Sequence, residues 1–243
     1  MKNLIVANWK CNPTTLKEAK KLFNSVKEGM ESAYPELCRR VEVVICAPFV
    51  FLPVLGTSAS AQGLGGLRLG SQDCFWGKKG AYTGEISPKM LKNLRVKYVI
   101  IGHSERRKYQ KETDEAINKK IKAVIAEGLK PILCIDKISQ IKRDLKGVPP
   151  KELKNLVIAY EPLFAIGSGR PCPPEKARRM RILIQKKLKG KFRVIYGGSV
   201  NSQNAQIYIE KAGFQGLLPG GASLNPKEFL RIVQNVDFLS KSC

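Results

Sequence analysis

Residues 159–169 read AYEPLFAIGSG, and they hold in one stretch the pattern on which the fold turns. The stretch is reached through Leu156-Val157-Ile158-Ala159-Tyr160, an apolar run whose length and β-branched content read as a buried strand. Glu161 stands where that strand stops, and Pro162 cannot continue a sheet ladder. Gly167 and Gly169 bracket Ser168 in a loop open to unusual dihedrals. An acid at a strand end, under a short apolar flap with a stiff start and a flexible finish, loses water when the flap closes and becomes a stronger base. Read alone, Glu161 is equally a surface acid opening a turn.

Similar runs recur on both sides of this one. Residues 4–7, 41–47, 67–72, 96–101, 131–135, 192–196 and 214–218 are short and apolar, the third being weaker and following glycine-rich residues 63–66. Helical periodicity lies between most of them. From Thr15 to Met30, Leu16, Ala19, Leu22, Phe23 and Val26 fall on one face, and Ala116, Ile117, Ile121, Val124 and Ile125 form another such stripe. Eight strand-like runs over 243 residues give about 30 residues per unit, as parallel strands covered by helices require. A closed (β/α)8 TIM barrel uses eight such units with no edge left open, whereas a doubly wound sheet leaves two. The expected fold is therefore an α/β barrel, a single catalytic domain over residues 1–243. Gly147, Pro149 and Pro150 break residues 136–154, leaving room for about two helical turns after the fifth run.

Composition narrows the partners. Lys and Arg number 43 against 20 Asp and Glu, a net charge of +23, so the chain attracts anions: phosphorylated metabolites, nucleic acid or acidic lipid. Seven scattered cysteines, with no C-x-x-C pair and one histidine, argue against a disulfide framework and a zinc site; no metal or cofactor is expected. A reducing, cytoplasmic location follows. The start, MKNLIVANWK, has an apolar run of four residues, too short for a signal peptide or a membrane span.

A barrel keeps its chemistry at the carboxyl ends of its strands. Those ends carry Asn8 and Lys10, His103 and Glu105, Glu161, Gly197-Gly198-Ser199, and Gly220-Gly221. His103 precedes a helix start for which Ser104 is the expected cap; the helix dipole keeps the imidazole neutral, able to donate to an oxyanion. A packing histidine is the other reading, and placement at a strand end favours the donor. Lys10 is either a compact charge for an enolate or phosphate, or an ordinary solvated lysine. The glycine pairs present backbone N–H groups to a phosphate, or are plain turns.

The segment from Glu175 to Gly190 crowds Lys176, Arg178, Arg179, Arg181, Lys186, Lys187 and Lys189 together, which allows nucleic acid binding as a side activity. Its apolar stripe, Ala177, Met180, Leu183, Ile184 and Leu188, is what the outer helix of a barrel needs, and no aromatics are interleaved for base stacking.

With these residues laid out, the chain closely resembles the triosephosphate isomerase family from Asn3 to about Val233. Six pieces carry the likeness in family order: ANWK at 7–10, GAYTGE at 80–85, GHSERR at 102–107, AYEP with AIG at 159–162 and 165–167, YGGSV at 196–200, and GGASL at 220–224. The resemblance implies interconversion of dihydroxyacetone phosphate and D-glyceraldehyde 3-phosphate through an enediolate, without cofactor or metal, in glycolysis and gluconeogenesis. It makes Glu161 the base and His103 the neutral electrophile, a pairing for which this family is itself the known example. Lys10 would stabilise negative charge, Asn8 would assist at the oxygens, and Glu105 would orient Lys10. The phosphate would rest on the N–H groups of Gly167, Ser199, Gly220 and Gly221. Pro162, Leu163, Phe164, Ala165, Ile166, Gly167, Ser168 and Gly169 would form the lid, running on to Arg170. The resemblance also implies a homodimer through an interlocking loop between Asp73 and Glu85, with Thr83 reaching toward the partner's Asn8 and the partner's His103.

Departures from the family pattern are Phe164 for a usual Trp, Ser168 for Thr, Asp136-Lys137 for a Gly-Glu pair, and a shortened segment between the fifth and sixth runs. Pro219 replaces a β-branched residue, with the expectation that a missing donor late in the eighth strand shifts the phosphate loop.

Overall fold

Each apolar run becomes a strand because its alternate side chains meet two different apolar layers. A computed structural model describes residues 2–33, 41–60, 67–188 and 192–239. In it β1 (Asn3–Asn8), β2 (Val41–Ala47), β3 (Leu67–Ser71), β4 (Tyr98–Ile101), β5 (Lys130–Ile135), β6 (Val157–Tyr160), β7 (Arg193–Tyr196) and β8 (Gly216–Leu217) close in sequence order into a barrel. All pairings are parallel, and β8 joins β1 through Leu4 opposite Gly216 and Ile5 opposite Leu217. One buried cluster, including Leu4, Val6, Val44, Cys46, Ile100, Ile132, Cys134, Val157, Ala159, Ile195 and Leu218, fills the interior. The intervening residues, such as Ile5, Val43, Ile45, Val99, Leu133, Ile158 and Val194, belong to the larger core beneath the helices.

The interior series has a consequence for chemistry. Two residues beyond Val6, Ala159, Ile195 and Leu218 lie Asn8, Glu161, Gly197 and Gly220, so the same alternation that fills the barrel delivers these four to its mouth. At the opposite end Glu42 accepts from the Tyr98 hydroxyl at 2.9 Å and pairs with Arg193 at 3.5 Å.

The outer layer is α1 (Leu16–Ala33), α2 (Leu52–Ser60), α3 (Pro88–Asn93), α4 (Ser104–Tyr109), α5 (Asp114–Ala126), α6 (Ile138–Asp144), α7 (Pro174–Leu188), α8 (Ala205–Glu210) and α9 (Pro226–Leu239). Thr15 and Glu18 cap α1 reciprocally: the Glu18 N–H donates to Thr15 Oγ1 at 3.2 Å and the Thr15 N–H to Glu18 Oε2 at 3.3 Å. The stripe expected on α5 is buried at Ile117, Ile121 and Val124. The shortened connection after β5 holds α6, seven residues or two turns, and a 3₁₀ turn, Pro150–Asn155. On α7, Ala177 and Ile184 face inward, while Lys176, Arg178, Arg179, Lys186 and Lys187 are exposed. Among the described residues no helix is long and apolar enough to cross a membrane.

Several boundaries differ from the sequence reading. The fourth strand begins at Tyr98, because Arg95 adopts φ 60° and turns the chain after α3. The eighth is two residues long, so Pro219 lies beyond it; its carbonyl accepts from the Asn8 N–H at 3.0 Å, and the strand loses no ladder donor. Residues 63–66, Cys38, Cys243, Lys189 and Gly190 lie outside the described residues.

Among the described residues, two groups of buried charge are compensated by close partners. Lys120, 4% exposed on α5, donates to both carboxylate oxygens of Asp73 at 2.8 and 2.7 Å and pairs with Glu112, while Arg106 reaches Asp73 at 2.8 Å. In the second group Arg107 divides its guanidinium between Asp144 at 2.6 Å and Asp114 at 2.7 Å. Its Nε also donates to the Gly102 carbonyl at 2.8 Å, just before His103. Burial pushes the Asp144 carboxyl up to about 7, a rise that Arg107 opposes in part and Asp114 reinforces. Asp73 is raised to about 6, with burial opposed by Lys120 and aided by Glu112.

Between about pH 4 and pH 6 to 7 the folded protein keeps on these two acids protons that the unfolded chain has already released. Their stabilising contribution is full below about pH 4 and is lost as the pH rises through about 6 to 7. Asp144→Asn, which mimics the protonated acid, should match the parent in urea unfolding at pH 4.5 and gain on it steadily toward pH 8. A difference that stays constant across this range removes the linkage.

Candidate active site

The backbone ladder runs to the strand ends and just past them, and it takes in three residues the sequence singled out. The Glu161 N–H donates to the Ile135 carbonyl at 2.8 Å, Gly197 to Tyr160 at 3.0 Å, and Asn8 to Pro219 at 3.0 Å. Asn8 and Glu161 are 5% and 3% exposed, so their polar ends are fixed by the barrel and face little solvent.

Lys10 follows in a left-handed conformation, φ 55°, which costs a non-glycine residue about 1–3 kcal/mol. Three contacts hold it there. Asn8 Oδ1 accepts from the Lys10 N–H at 3.0 Å, Gln72 Nε2 donates to the Lys10 carbonyl at 2.9 Å, and Nζ meets Glu105 Oε1 at 2.5 Å. Gln72 also donates to the Cys46 carbonyl at 2.9 Å, tying Lys10 to β2. Sequence reasoning missed Gln72; the one available signal was its place as a polar residue ending the third run.

His103, 5% exposed, is itself the N-cap of α4, in place of the expected Ser104. Its Nδ1 accepts the Glu105 N–H at 3.2 Å, the service a capping side chain normally provides. An accepting Nδ1 carries no proton, so this bond selects the neutral tautomer with its proton on Nε2. Nε2 lies 3.3 Å from Glu161 Oε1. Burial acts against the imidazolium, but the carboxylates of Glu161 and Glu105 outweigh it and raise the His103 pKa above its ordinary value. The helix end and the facing carboxylate thus oppose each other in the ligand-free site, and a substrate oxygen between His103 and Glu161 would relieve that opposition.

Glu161 fits because of Gly197. A Cβ there would lie 2.9 Å from Glu161 Cγ and 3.1 Å from Oε1. Burial and the neighbouring Glu161 carboxylate both raise the Cys134 thiol pKa, which keeps that inward-facing group uncharged, while Glu161 Oε2 is buried without a hydrogen-bond partner. The carboxylate is therefore desolvated and incompletely satisfied, as a proton acceptor should be.

After Glu161 and Pro162 the chain makes a 3₁₀ turn, Leu163–Ala165, with Leu163 56% and Phe164 52% exposed. Gly167 and Gly169 take φ 64° and 68°, so the glycine-bracketed end of the flap uses the left-handed region. The Ser199 hydroxyl donates to the Ala165 carbonyl, and the Cys172 N–H donates to the Tyr196 hydroxyl at 2.9 Å, fastening the flap to the β7 end.

One cavity of about 290 Å³ gathers Asn8, Lys10, His103, Glu161, Gly167, Ser199, Gly220 and Gly221 on its walls. Gly220 and Gly221 remain there despite Pro219 before them. A second cavity of about 690 Å³ adjoins behind Glu161, with Glu105, Cys134, Asp136 and Leu163 on its walls. Thr83 is apart from both, exposed on the loop that starts at Asp73. In that loop Phe75 lies between Trp76 and Tyr82, with ring centroids 4.2 and 4.7 Å away.

The arrangement can move a proton between adjacent carbons: a desolvated carboxylate faces an imidazole nitrogen, with an ammonium and several glycines on the walls of the same pocket. Comparisons with known proteins agree with that chemistry. The family model described as triosephosphate isomerase matches residues 3–236. A triosephosphate isomerase of Alkaliphilus oremlandii is 42% identical over 96% of this chain and 98% of its own length. Those of Lactobacillus delbrueckii subsp. lactis and Aquifex aeolicus are both 41% identical over 96% of this chain, covering 98% and 99% of their own lengths. The chain belongs to the triosephosphate isomerase family, and is an isomerase that interconverts dihydroxyacetone phosphate and glyceraldehyde 3-phosphate in glycolysis.

Proposed function

We propose that Glu161 is the base of this isomerisation, removing a proton from one carbon of the triose phosphate and returning it to the next. His103, as the neutral Nε2–H tautomer, donates to the carbonyl oxygen and carries protons between the two oxygens of the enediolate. The observation that carries the reading is the 3.3 Å approach of Glu161 Oε1 to His103 Nε2 at the wall of a cavity shared with Lys10. Lys10 offsets the charge on the enediolate and phosphate, with Glu105 and Asn8 holding its side chain and backbone in place. The phosphate is cradled by N–H groups of Gly167, Ser199, Gly220 and Gly221. Closure of residues 162–169 excludes water and suppresses loss of phosphate from the intermediate.

The reading extends to one catalytic domain over residues 1–243, working as a cytoplasmic homodimer. Free thiols at Cys11, Cys46, Cys74, Cys134 and Cys172 support a reducing compartment. The exposed rings of Trp76 and Tyr82 on the loop between Asp73 and Glu85 support an interlocking contact that brings Thr83 to the partner's site. A subsidiary contact of α7 with nucleic acid rests on its outward Lys176, Arg178, Arg179, Lys186 and Lys187.

In a coupled assay, Glu161→Ala should lower kcat by about 10²–10⁴-fold with the fold retained, the span of general-base contributions. Full turnover in that variant would end the assignment. Thr83→Asp should shift the sedimenting species from a dimer toward the 27.0 kDa chain and reduce kcat in parallel; unchanged sedimentation would place the subunit contact elsewhere. Binding of single-stranded DNA to α7 should fall steeply with salt and vanish on reversing the charge of Arg178 and Arg179. Retention in that variant would move the contact off α7.

A further inference from the structure

Asp136 is the first residue after β5, standing where the family pattern has glycine. Its Oδ1 accepts the Leu163 N–H at 3.1 Å. That donor opens the 3₁₀ turn of the lid, and Pro162 before it provides no side-chain cap. Without Asp136 it would be an orphan at a helical start. Asp136 is itself held from α6: Gln140 Oε1 accepts the N–H groups of Asp136 and Lys137 at 2.8 and 2.9 Å.

This bond sits beside another. The Ile135 carbonyl accepts the Glu161 N–H at 2.8 Å, so consecutive residues at the end of β5 grip the chain on both sides of Pro162. The grip leaves Glu161 and Pro162 little freedom relative to the barrel. The Ala165 carbonyl is held by Ser199, which leaves the left-handed Gly167 and Gly169 as the first unpinned stretch of the lid. The Asp136 side of the grip also borders the 690 Å³ cavity behind Glu161, into which a released Leu163 could shift.

We propose that Asp136 is a positioning residue of the isomerase: by capping the Leu163 N–H it fixes the leading hinge of the lid and, through Pro162, the orientation of the Glu161 carboxylate. The inference rests on the reading of Glu161 as the base. It assigns to the β5–α6 connection a task in catalysis that no side chain at the family's usual glycine can perform.

The test compares Asp136→Ala and Asp136→Asn with Glu161→Ala, reading kcat, KM, thermal midpoint and inorganic phosphate released per isomerisation turnover. Asp136→Ala should lower kcat roughly 10-fold, an order less than the ~10² that a 1 Å misplacement can cost, with KM within about 2-fold. It should also raise the fraction of turnovers that release phosphate, because a lid with a loose hinge lets the intermediate escape before reprotonation. Asp136→Asn keeps an acceptor oxygen and should recover most of both quantities. A merely structural role would lower the thermal midpoint without changing phosphate release per turnover. An alanine variant with parental kcat and phosphate release overturns the proposal, as does an asparagine variant no better than alanine. If Glu161→Ala collapses while Asp136→Ala is unaffected, only the role of Asp136 fails. If Glu161→Ala keeps full turnover, the assignment of the base fails first.

Discussion

Closure of the parallel ladder is the constraint on which this molecule depends. A barrel of eight strands has no free edge, and each strand's position is set by a neighbour on both sides. The hydrogen bonds of Asn8, Glu161 and Gly197 belong to that ladder although these residues lie at or past the strand ends. Chemistry at the mouth is therefore positioned by the same bonds that hold the fold. The alternation that fills the interior with Val6, Ala159, Ile195 and Leu218 leaves the next residue of each series facing the cavity.

On that frame the site gathers groups that are individually unfavourable. Lys10 is left-handed, Glu161 is buried with one bare oxygen, and His103 accepts a helix N–H while facing a carboxylate. Each is tolerated because rigid neighbours hold it: Gln72 and Glu105 for Lys10, the gap at Gly197 for Glu161, and α4 for His103. Strain and incomplete satisfaction gathered in one pocket favour a ligand that can relieve them. Deeper charge is treated differently. Asp73, Glu112, Lys120 and Arg106 neutralise one another where the subunit loop begins, and Arg107 links Asp144 and Asp114 to the Gly102 carbonyl behind His103. Buried charge beside the site is thus paired charge by charge, unlike the exposed basic residues of α7.

The departures from the family pattern resolve by geometry. Pro219 removes no ladder donor, because the eighth strand is two residues long and uses only the Pro219 carbonyl at that point. The shortened connection after β5 still forms α6, and Gln140 on that helix braces the Asp136 turn. Phe164 lies under Lys176 at 4.7 Å, a contact between the lid and the helix that follows it.

Much of this was legible in the chain. Short continuous apolar runs and period-3.6 stripes identify the strands and helices, because burial on two faces or on one leaves different spacings. Asn8, Lys10, His103, Glu161 and the glycine pairs could be named because strand ends in a barrel share one mouth. Other features needed the tertiary structure. His103 rather than Ser104 caps α4, its Nδ1 taking the Glu105 N–H once the β4 end sets it over the helix start. Gln72 matters because β2 and β3 bring it beside Lys10, 62 residues away in the chain. Lys120 is buried because two acids from other segments meet it, and Asp136 reaches Leu163 across 27 residues because β5 and β6 are neighbours. Spacing along a chain records what is local and periodic, whereas partners brought together by barrel closure leave no periodic mark.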